Sequence, residues 1–311
     1  MEYVRLGHSG LEVSRICLGT MGFGTPGDLF PWTVGYETSE AIVRECLDQG
    51  INFFDTANVY SDGESEEFLG RVLRKYASRE EVVIATKCGL NMHQDHKPNT
   101  SGLSRKVIFD EVDKSLRRLG TDYIDLYIVH HPDPDTPVEE TMEALNDLVH
   151  TGKVRYVGAS NMKAWQFAKY QYTARMHGWQ EFISVENTHN IFEREDEKEL
   201  FPMLADMGVS LTAYKVLAGG RLSRKKGEET QRSRTQKLSE KDIRMNQKIE
   251  EVADAHHCSK AAVLISWELS KKPIDVVLTG TTKPGRITDT VKALHVRLTE
   301  SEREYLEQED G

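Results

Sequence analysis

The sequence predicts an α/β protein folded as a closed (β/α)8 TIM barrel, and three observations carry that prediction. Eight short apolar runs recur along the chain, segments with apolar residues at helical spacing lie between them, and no Gly-x-Gly-x-x-Gly turn follows the first run. Each parallel pair of strands needs a crossover, so regular strand–helix alternation implies a parallel sheet. Eight such units in 311 residues fill one barrel. A doubly wound sheet is the alternative, and it would normally carry the glycine-rich turn.

The stretch from Val4 to Val13 reads as a β-hairpin ahead of the barrel, plugging its bottom. The eight runs are Ser14–Gly19, Ile51–Phe54, Val82–Ala85, Ile124–Val129, Val154–Gly158, Phe182–Val185, Val209–Ala213 and Val276–Thr279. Each is strand-sized and rich in β-branched or aromatic residues. Between Thr38 and Gln49, residues Ile42, Val43, Cys46 and Leu47 share one helical face, with Ser39 placed to cap its start and Gly50 its end. From Val107 to Leu119 the face is Ile108, Val112, Leu116 and Leu119, closed by Gly120. Pro137 opens the next helix and Gly152 ends it. Later helices are expected over Glu195–Met207, Glu240–His256 and Ser259–Ser270. With no Pro/Gly-rich linker, residues 1–311 are expected to form one domain.

Composition excludes several function classes. The formal net charge of −10 is wrong for a general nucleic-acid binder, which needs a basic footprint. No apolar run reaches the roughly 20 residues of a membrane span. Met1–Ser9 has no secretory apolar core, so the expected location is cytoplasmic. Cys17, Cys46, Cys88 and Cys258 are scattered singly, which suits reduced thiols and gives neither a disulfide framework nor a zinc site. His130 and His131 have no third ligand at helpful spacing, so no metal is expected.

Residues just after each barrel strand face the catalytic end. Those positions hold Asp55 and Tyr60 after the second strand, Lys87 after the third and His130 after the fourth. Ser160 and Asn161 follow the fifth, Glu186 and Asn187 lie at the sixth, and Tyr214 is at the seventh. A tyrosine is a poor acid at neutral pH, with a reference pKa of about 10. A nearby ammonium favours the phenolate and eases proton donation to a developing alkoxide. A carboxylate would hold the lysine, and a histidine beside the oxygen would orient it. Together these are the groups that carbonyl reduction needs.

Here the sequence resembles the aldo-keto reductase superfamily over nearly its whole length. Arg5 to Met21 is similar to the family's N-terminal signature. Asp55-Thr-Ala-x-x-Tyr60 with Gly63-x-Ser-Glu, Ala85-Thr-Lys87, Asp122-Tyr-Ile-Asp-Leu-Tyr-x-x-His130 and Gly158-x-Ser-Asn161 match in order and spacing. Thr136–Leu145 and Ala164–Lys169 look closest to a bacterial branch of broad-range reductases. The resemblance implies a catalytic tetrad of Asp55, Tyr60, Lys87 and His130, with Tyr60 the general acid. It implies that Ser160, Asn161 and Glu186 hold the nicotinamide carboxamide and that Tyr214 stacks on its ring. It implies further cofactor contacts at Gly19, Thr20, Met21, Lys215, Leu217, Gly219 and Gly280. NADP(H) is the expected cofactor, because Arg286 matches the family's adenine- and 2′-phosphate-binding arginine, with Thr281, Lys283, Asp289 and Thr290 beside it. Candidate substrate-pocket walls are Met21, Phe23, Trp32, Asn91 and His131.

Departures from the family pattern are Asp289 for Glu, Thr290 for Asn, Glu186 for Gln, and Lys215-Val-Leu for Ser-Pro-Leu. A carboxylate at 186 should favour the positively charged oxidised ring, and Lys215 is placed either to neutralise the pyrophosphate or to face solvent. The stretch from Gly219 to Lys241 lacks apolar periodicity and is locally basic, with Arg221, Arg224, Lys225, Lys226, Arg232 and Arg234. It reads as a solvated loop, a flap over an anionic cofactor, or both. Two other functions stay open at this point: a nicotinamide-binding regulatory subunit, and a sugar-phosphate isomerase or lyase on the same barrel. The expected partner is a small carbonyl compound.

Overall fold

The computed structural model describes residues 1–27, 30–90, 97–223 and 238–308. Strands β1 (Tyr3–Arg5) and β2 (Glu12–Ser14) pair antiparallel as the expected hairpin. Eight parallel strands then close on themselves: β3 (Ile16–Gly19), β4 (Phe53–Asp55), β5 (Val83–Cys88), β6 (Ile124–Val129), β7 (Val154–Ser160), β8 (Ser184–Thr188), β9 (Ser210–Tyr214) and β10 (Ile274–Thr279). Strand β10 pairs with both β9 and β3, which closes the barrel. The eight apolar runs and the eight strands coincide to within a few residues.

Side chains alternate between the inside of the barrel and the helical shell. The inward set forms an apolar floor of Cys17, Phe53, Val83, Ala85, Leu126, Ile128 and Val276. Leu6 and Val13 of the hairpin pack into the same cluster, both fully buried, so the hairpin plugs this end. Each such side chain contributes about 1.5–3 kcal/mol by leaving water. Gly7 makes the plug possible: its φ is +58°, and a Cβ there would run into the Ile183 carbonyl oxygen.

The shell comprises α1 (Tyr36–Asp48), α2 (Glu64–Tyr76), α3 (Arg105–Leu119), α4 (Val138–His150), α5 (Ala164–His177), α6 (Leu200–Met207), α7 (Glu240–Ala255), α8 (Lys260–Leu269), α9 (Ile287–Lys292) and α10 (Glu300–Glu307). Gly50, Gly120 and Gly152 all take positive φ after their helices, as expected. Ser39 does not cap α1. The helix begins earlier, at Tyr36 after Gly35, and the Ser39 hydroxyl donates back to the Val34 and Gly35 carbonyls at 3.2 and 3.0 Å. Helix α3 begins two residues early because Ser104 Oγ accepts the Val107 N–H. Pro137 caps α4 from just outside it.

The helix expected over Glu195–Met207 is interrupted. A single 3-10 turn spans Glu195–Glu197 and α6 starts at Leu200. Pro202 is the third residue of α6, and a proline is tolerated only within the first turn. The intervening acid is also committed elsewhere: Glu197 pairs with Arg194 at 2.8 Å and with buried His189 at 3.2 Å. His189 Nδ1 lies 2.7 Å from Glu268 of α8, and its ring stacks on Trp267. Trp267 in turn donates to Glu307 of α10 at 2.9 Å. This buried network ties the last helices to the end of β8.

Candidate active site

The same alternation that builds the floor delivers polar residues to the opposite end. Phe53 leads up to Asp55, Ala85 to Lys87, Ile128 to His130 and Ser184 to Glu186, each two residues further along its strand or at its end. Lys87 is completely buried. Its ammonium bonds Asp55 Oδ1 in a short contact, donates to the Thr56 carbonyl at 3.1 Å and lies 3.4 Å from Glu186 Oε2. The floor below and the strands around it shield these partners from solvent. Burial disfavours the ammonium, but Asp55 and Glu186 together overcome it and hold Lys87 charged. Burial and the Glu186 charge push the Asp55 carboxyl well upward, against the pull of Lys87. Asp55 Oδ2 is buried without a hydrogen-bond partner.

Tyr60 begins a tight 3-10 turn through Gly63 in which Ser61 and Asp62 both take left-handed φ, 48° and 53°. Such conformations are costly for non-glycine residues and cluster at functional sites. The turn sets the Tyr60 ring with its centroid 5.4 Å from the Lys87 ammonium. Lys87 pulls the phenol pKa down, as expected, but burial pushes it up harder, and the net direction is upward. His130 meets Tyr60 edge-on at 6.0 Å and stacks on exposed His131 at 5.4 Å. Burial first, then Lys87 and His131, hold the His130 imidazole pKa at about 2, so the ring is neutral. Its Nδ1 is buried and unpartnered.

A second set of hydrogen bonds forms a shelf beside the tetrad. Ser160 Oγ and the Asn161 N–H both donate to the Glu186 carbonyl, at 2.8 and 3.1 Å. Asn161 Nδ2 donates to the His130 carbonyl at 3.0 Å, and its Oδ1 accepts from the Tyr214 hydroxyl at 2.6 Å. Lys215 has φ +56° and sets its ammonium 5.5 Å from the Tyr214 ring. After it, Gly219 and Gly220 have positive φ and open space where a Cβ would be, a cradle that backbone-binding ligands use. Leu217 packs against the core.

The remaining expected positions divide. Gly280 sits against Gly19, whose carbonyl oxygen a Cβ at 280 would meet at 3.0 Å. The Thr20 hydroxyl is turned inward, donating to the Asp55 carbonyl at 2.9 Å and meeting Ser65 at 2.8 Å, so it braces the end of β4. Met21 is exposed and Trp32 partly so, whereas Phe23 is fully buried in the core and lines no open pocket. Thr281 is folded onto the Lys283 backbone, donating at 3.1 Å and accepting at 3.0 Å. Arg286 is the N-cap of α9, Asp289 pairs with Lys292 at 3.0 Å, and the Thr290 hydroxyl donates to the Arg286 carbonyl at 3.1 Å. Asn91 and the basic residues Arg224, Lys225, Lys226, Arg232 and Arg234 lie outside the described residues. Among the described residues, no group of three or more His, Cys, Asp or Glu side chains is arranged to hold a metal ion.

Two contributors had no local sequence signal. Glu45 of α1 accepts the Gly285 and Thr288 N–H groups at 2.7 and 2.9 Å and the Thr288 hydroxyl at 2.9 Å, which fixes the loop before α9. Buried Glu66 accepts from Thr86 at 2.6 Å and from Arg118 at 2.6 Å, bracing β5 next to Lys87.

The comparisons agree with this geometry. A model described as the aldo/keto reductase family matches residues 15–310. The chain is 41% identical to versiconal hemiacetal acetate reductase of Aspergillus parasiticus, an alignment covering 99% of this chain and 96% of the relative. It is 38% identical to an aldo-keto reductase of Fusarium vanettenii (99% and 90%) and 37% identical to one of Metarhizium robertsii (99% and 90%). These relatives are fungal and do not bear out the bacterial branch expected from Thr136–Leu145 and Ala164–Lys169. With the barrel, the motif order and these matches together, the chain belongs to the aldo/keto reductase family.

Proposed function

We propose that this protein reduces aldehydes or ketones to alcohols with NADPH, Tyr60 acting as general acid. The observation that supports this best is the approach of a buried Lys87 ammonium, the Tyr60 ring and an edge-on, neutral His130 at the barrel mouth. A nicotinamide cofactor suits the residues present. Ser160, Asn161 and Glu186 offer polar groups to a carboxamide, Tyr214 offers a ring face, and Gly219 and Gly220 leave room for backbone approach. The unpartnered His130 Nδ1 and Asp55 Oδ2 show that the site is not internally complete.

When bound, the reduced nicotinamide supplies the hydride. Tyr60 gives its phenolic proton to the carbonyl oxygen, and the Lys87 ammonium stabilises the phenolate left behind. Neutral His130 orients that oxygen without competing for the proton. Asp55 holds Lys87 in place, and Thr20 and Glu66 brace the strand ends that carry them. Preference for NADP over NAD is supported by Lys283 and Arg286 at the turn before α9, where basic side chains suit a 2′-phosphate. The reduced thiols and the absence, among the described residues, of a helix able to cross a membrane are compatible with a cytoplasmic place.

The test is fluorescence quenching by NADPH and NADH, followed by turnover of a panel of aldehydes and ketones. The panel should include hemiacetal-forming aldehydes, a choice prompted by the name of the Aspergillus relative. Tighter NADPH binding with turnover of some member is expected. No binding of either cofactor and no turnover would sink this reading.

A further inference from the structure

Among the described residues, the buried cluster at the barrel mouth holds two carboxylates around one ammonium. Asp55 and Glu186 are both buried, and both face the single Lys87 ammonium. Among the described residues, the other titratable groups facing this cluster are Cys17 from β3, Tyr60 after β4, His130 after β6 and Tyr214 from β9. None supplies a positive charge. Cys17 and Tyr214 are pushed upward by burial and stay protonated, and His130 is neutral. With both carboxylates ionised the cluster would carry a net negative charge in a water-poor site, an expensive arrangement that a proton on Asp55 removes. Asp55 Oδ2, buried and without a partner, is the oxygen such a proton would occupy.

We propose that Asp55, facing Lys87 beside the Glu186 carboxylate, stores a proton and releases it to solvent when an oxidised nicotinamide binds. This inference rests on the cofactor reading above. The positive charge of the oxidised ring replaces that of the proton, the carboxyl O–H bond breaks heterolytically, and no electron moves. A reduced nicotinamide is neutral and leaves the proton in place. Oxidised-cofactor affinity therefore rises with pH relative to reduced-cofactor affinity, by up to about tenfold per pH unit.

The test is calorimetric titration of the full chain with NADP+ and with NADPH near neutral pH, in phosphate and in Tris. These buffers differ in ionisation enthalpy and so report the protons exchanged. The 2′-phosphate is common to both ligands and cancels in the comparison. Release of about one more proton with NADP+ than with NADPH is expected, and Glu186→Gln should bring the difference to zero. Equal proton counts in the unmodified protein overturn the proposal whether or not the variant folds. A difference that survives in Glu186→Gln assigns the proton elsewhere and overturns it too. Failure of both ligands to bind overturns the functional reading itself, and this inference with it.

Discussion

Glu186 Oε2 lies 3.4 Å from Lys87 Nζ, although the two residues stand on strands three places apart around the barrel. The lysine is thereby held between two carboxylates, and the second places negative charge where the family's usual Gln would place none. Glu186→Gln should therefore weaken oxidised-cofactor binding relative to reduced, by about tenfold for charges a few ångströms apart. Dissociation constants for NADP+ and NADPH in the two proteins check this, and an unchanged ratio would refute it.

Tyr60 is expected to matter for the chemical step and not for binding. Tyr60→Phe keeps the ring over Lys87 but removes the transferable proton. Its kcat should fall by about 10²–10⁴-fold, while cofactor affinity stays within a factor of about two. A comparable loss of cofactor affinity would show that the ring is a binding element instead.

Removing the lysine charge tests the electrostatics differently. Lys87→Met leaves Asp55 and Glu186 facing one another in a buried site. Breaking such a cluster should cost about 3–5 kcal/mol, read by denaturant unfolding at neutral pH. A variant as stable as the parent at neutral pH would contradict the buried cluster.

The pH dependence of reduction follows from two directions. His130 is held at about 2, well below the ordinary histidine value, so it does not change charge between pH 5 and 8. In the proposed mechanism Tyr60 acts protonated, so activity should be lost as the pH rises through its raised pKa. The kcat/KM profile should be flat through the histidine range with a single alkaline limb. An inflection near pH 6.5 that disappears in His130→Gln would count against a neutral His130.

A second titration concerns stability. Burial alone would pull the His189 imidazolium down, but hydrogen bonds to Glu197 and Glu268 lift it to about 9. Burial raises Glu268 to about 7 despite the pull of His189. Both groups bind protons more tightly folded than unfolded, so their stabilisation is complete in acid, below their unfolded pKa values. It is lost as the pH rises through about 7 and about 9. Unfolding free energy measured from pH 5 to 9 should show this decline, on the order of 2 kcal/mol. His189→Gln should remove the part of the decline near pH 9 and leave the Glu268 part, and an unaltered slope near pH 9 in that variant would place the titration elsewhere.

The strands were legible because each is a largely apolar, buried run, and the convergence of Asp55, Lys87 and His130 because period-two alternation puts them at strand ends. What was missed has identifiable causes. Helix α5 was not singled out because its apolar residues face several ways, with Trp165, Tyr172 and Met176 exposed. The break before α6 turns on Pro202, whose meaning depends on where a helix begins. Phe23 looked like a pocket wall because nothing in its neighbours reveals burial. The Glu186–Lys87 and Glu45–Gly285 contacts join residues 99 and 240 positions apart in the sequence, which no local pattern encodes.

The sealed floor has a bearing on traffic. Leu6 and Val13 stopper the barrel beneath Phe53, Leu126 and Ile128, and these residues offer no side-chain polar atom along which water could file. Lys87 is thus the blind end of a well. Any proton or solvent molecule that reaches it must arrive through the mouth, past Tyr60 and the shelf of Asn161 and Tyr214. A ligand seated there acts as the cork.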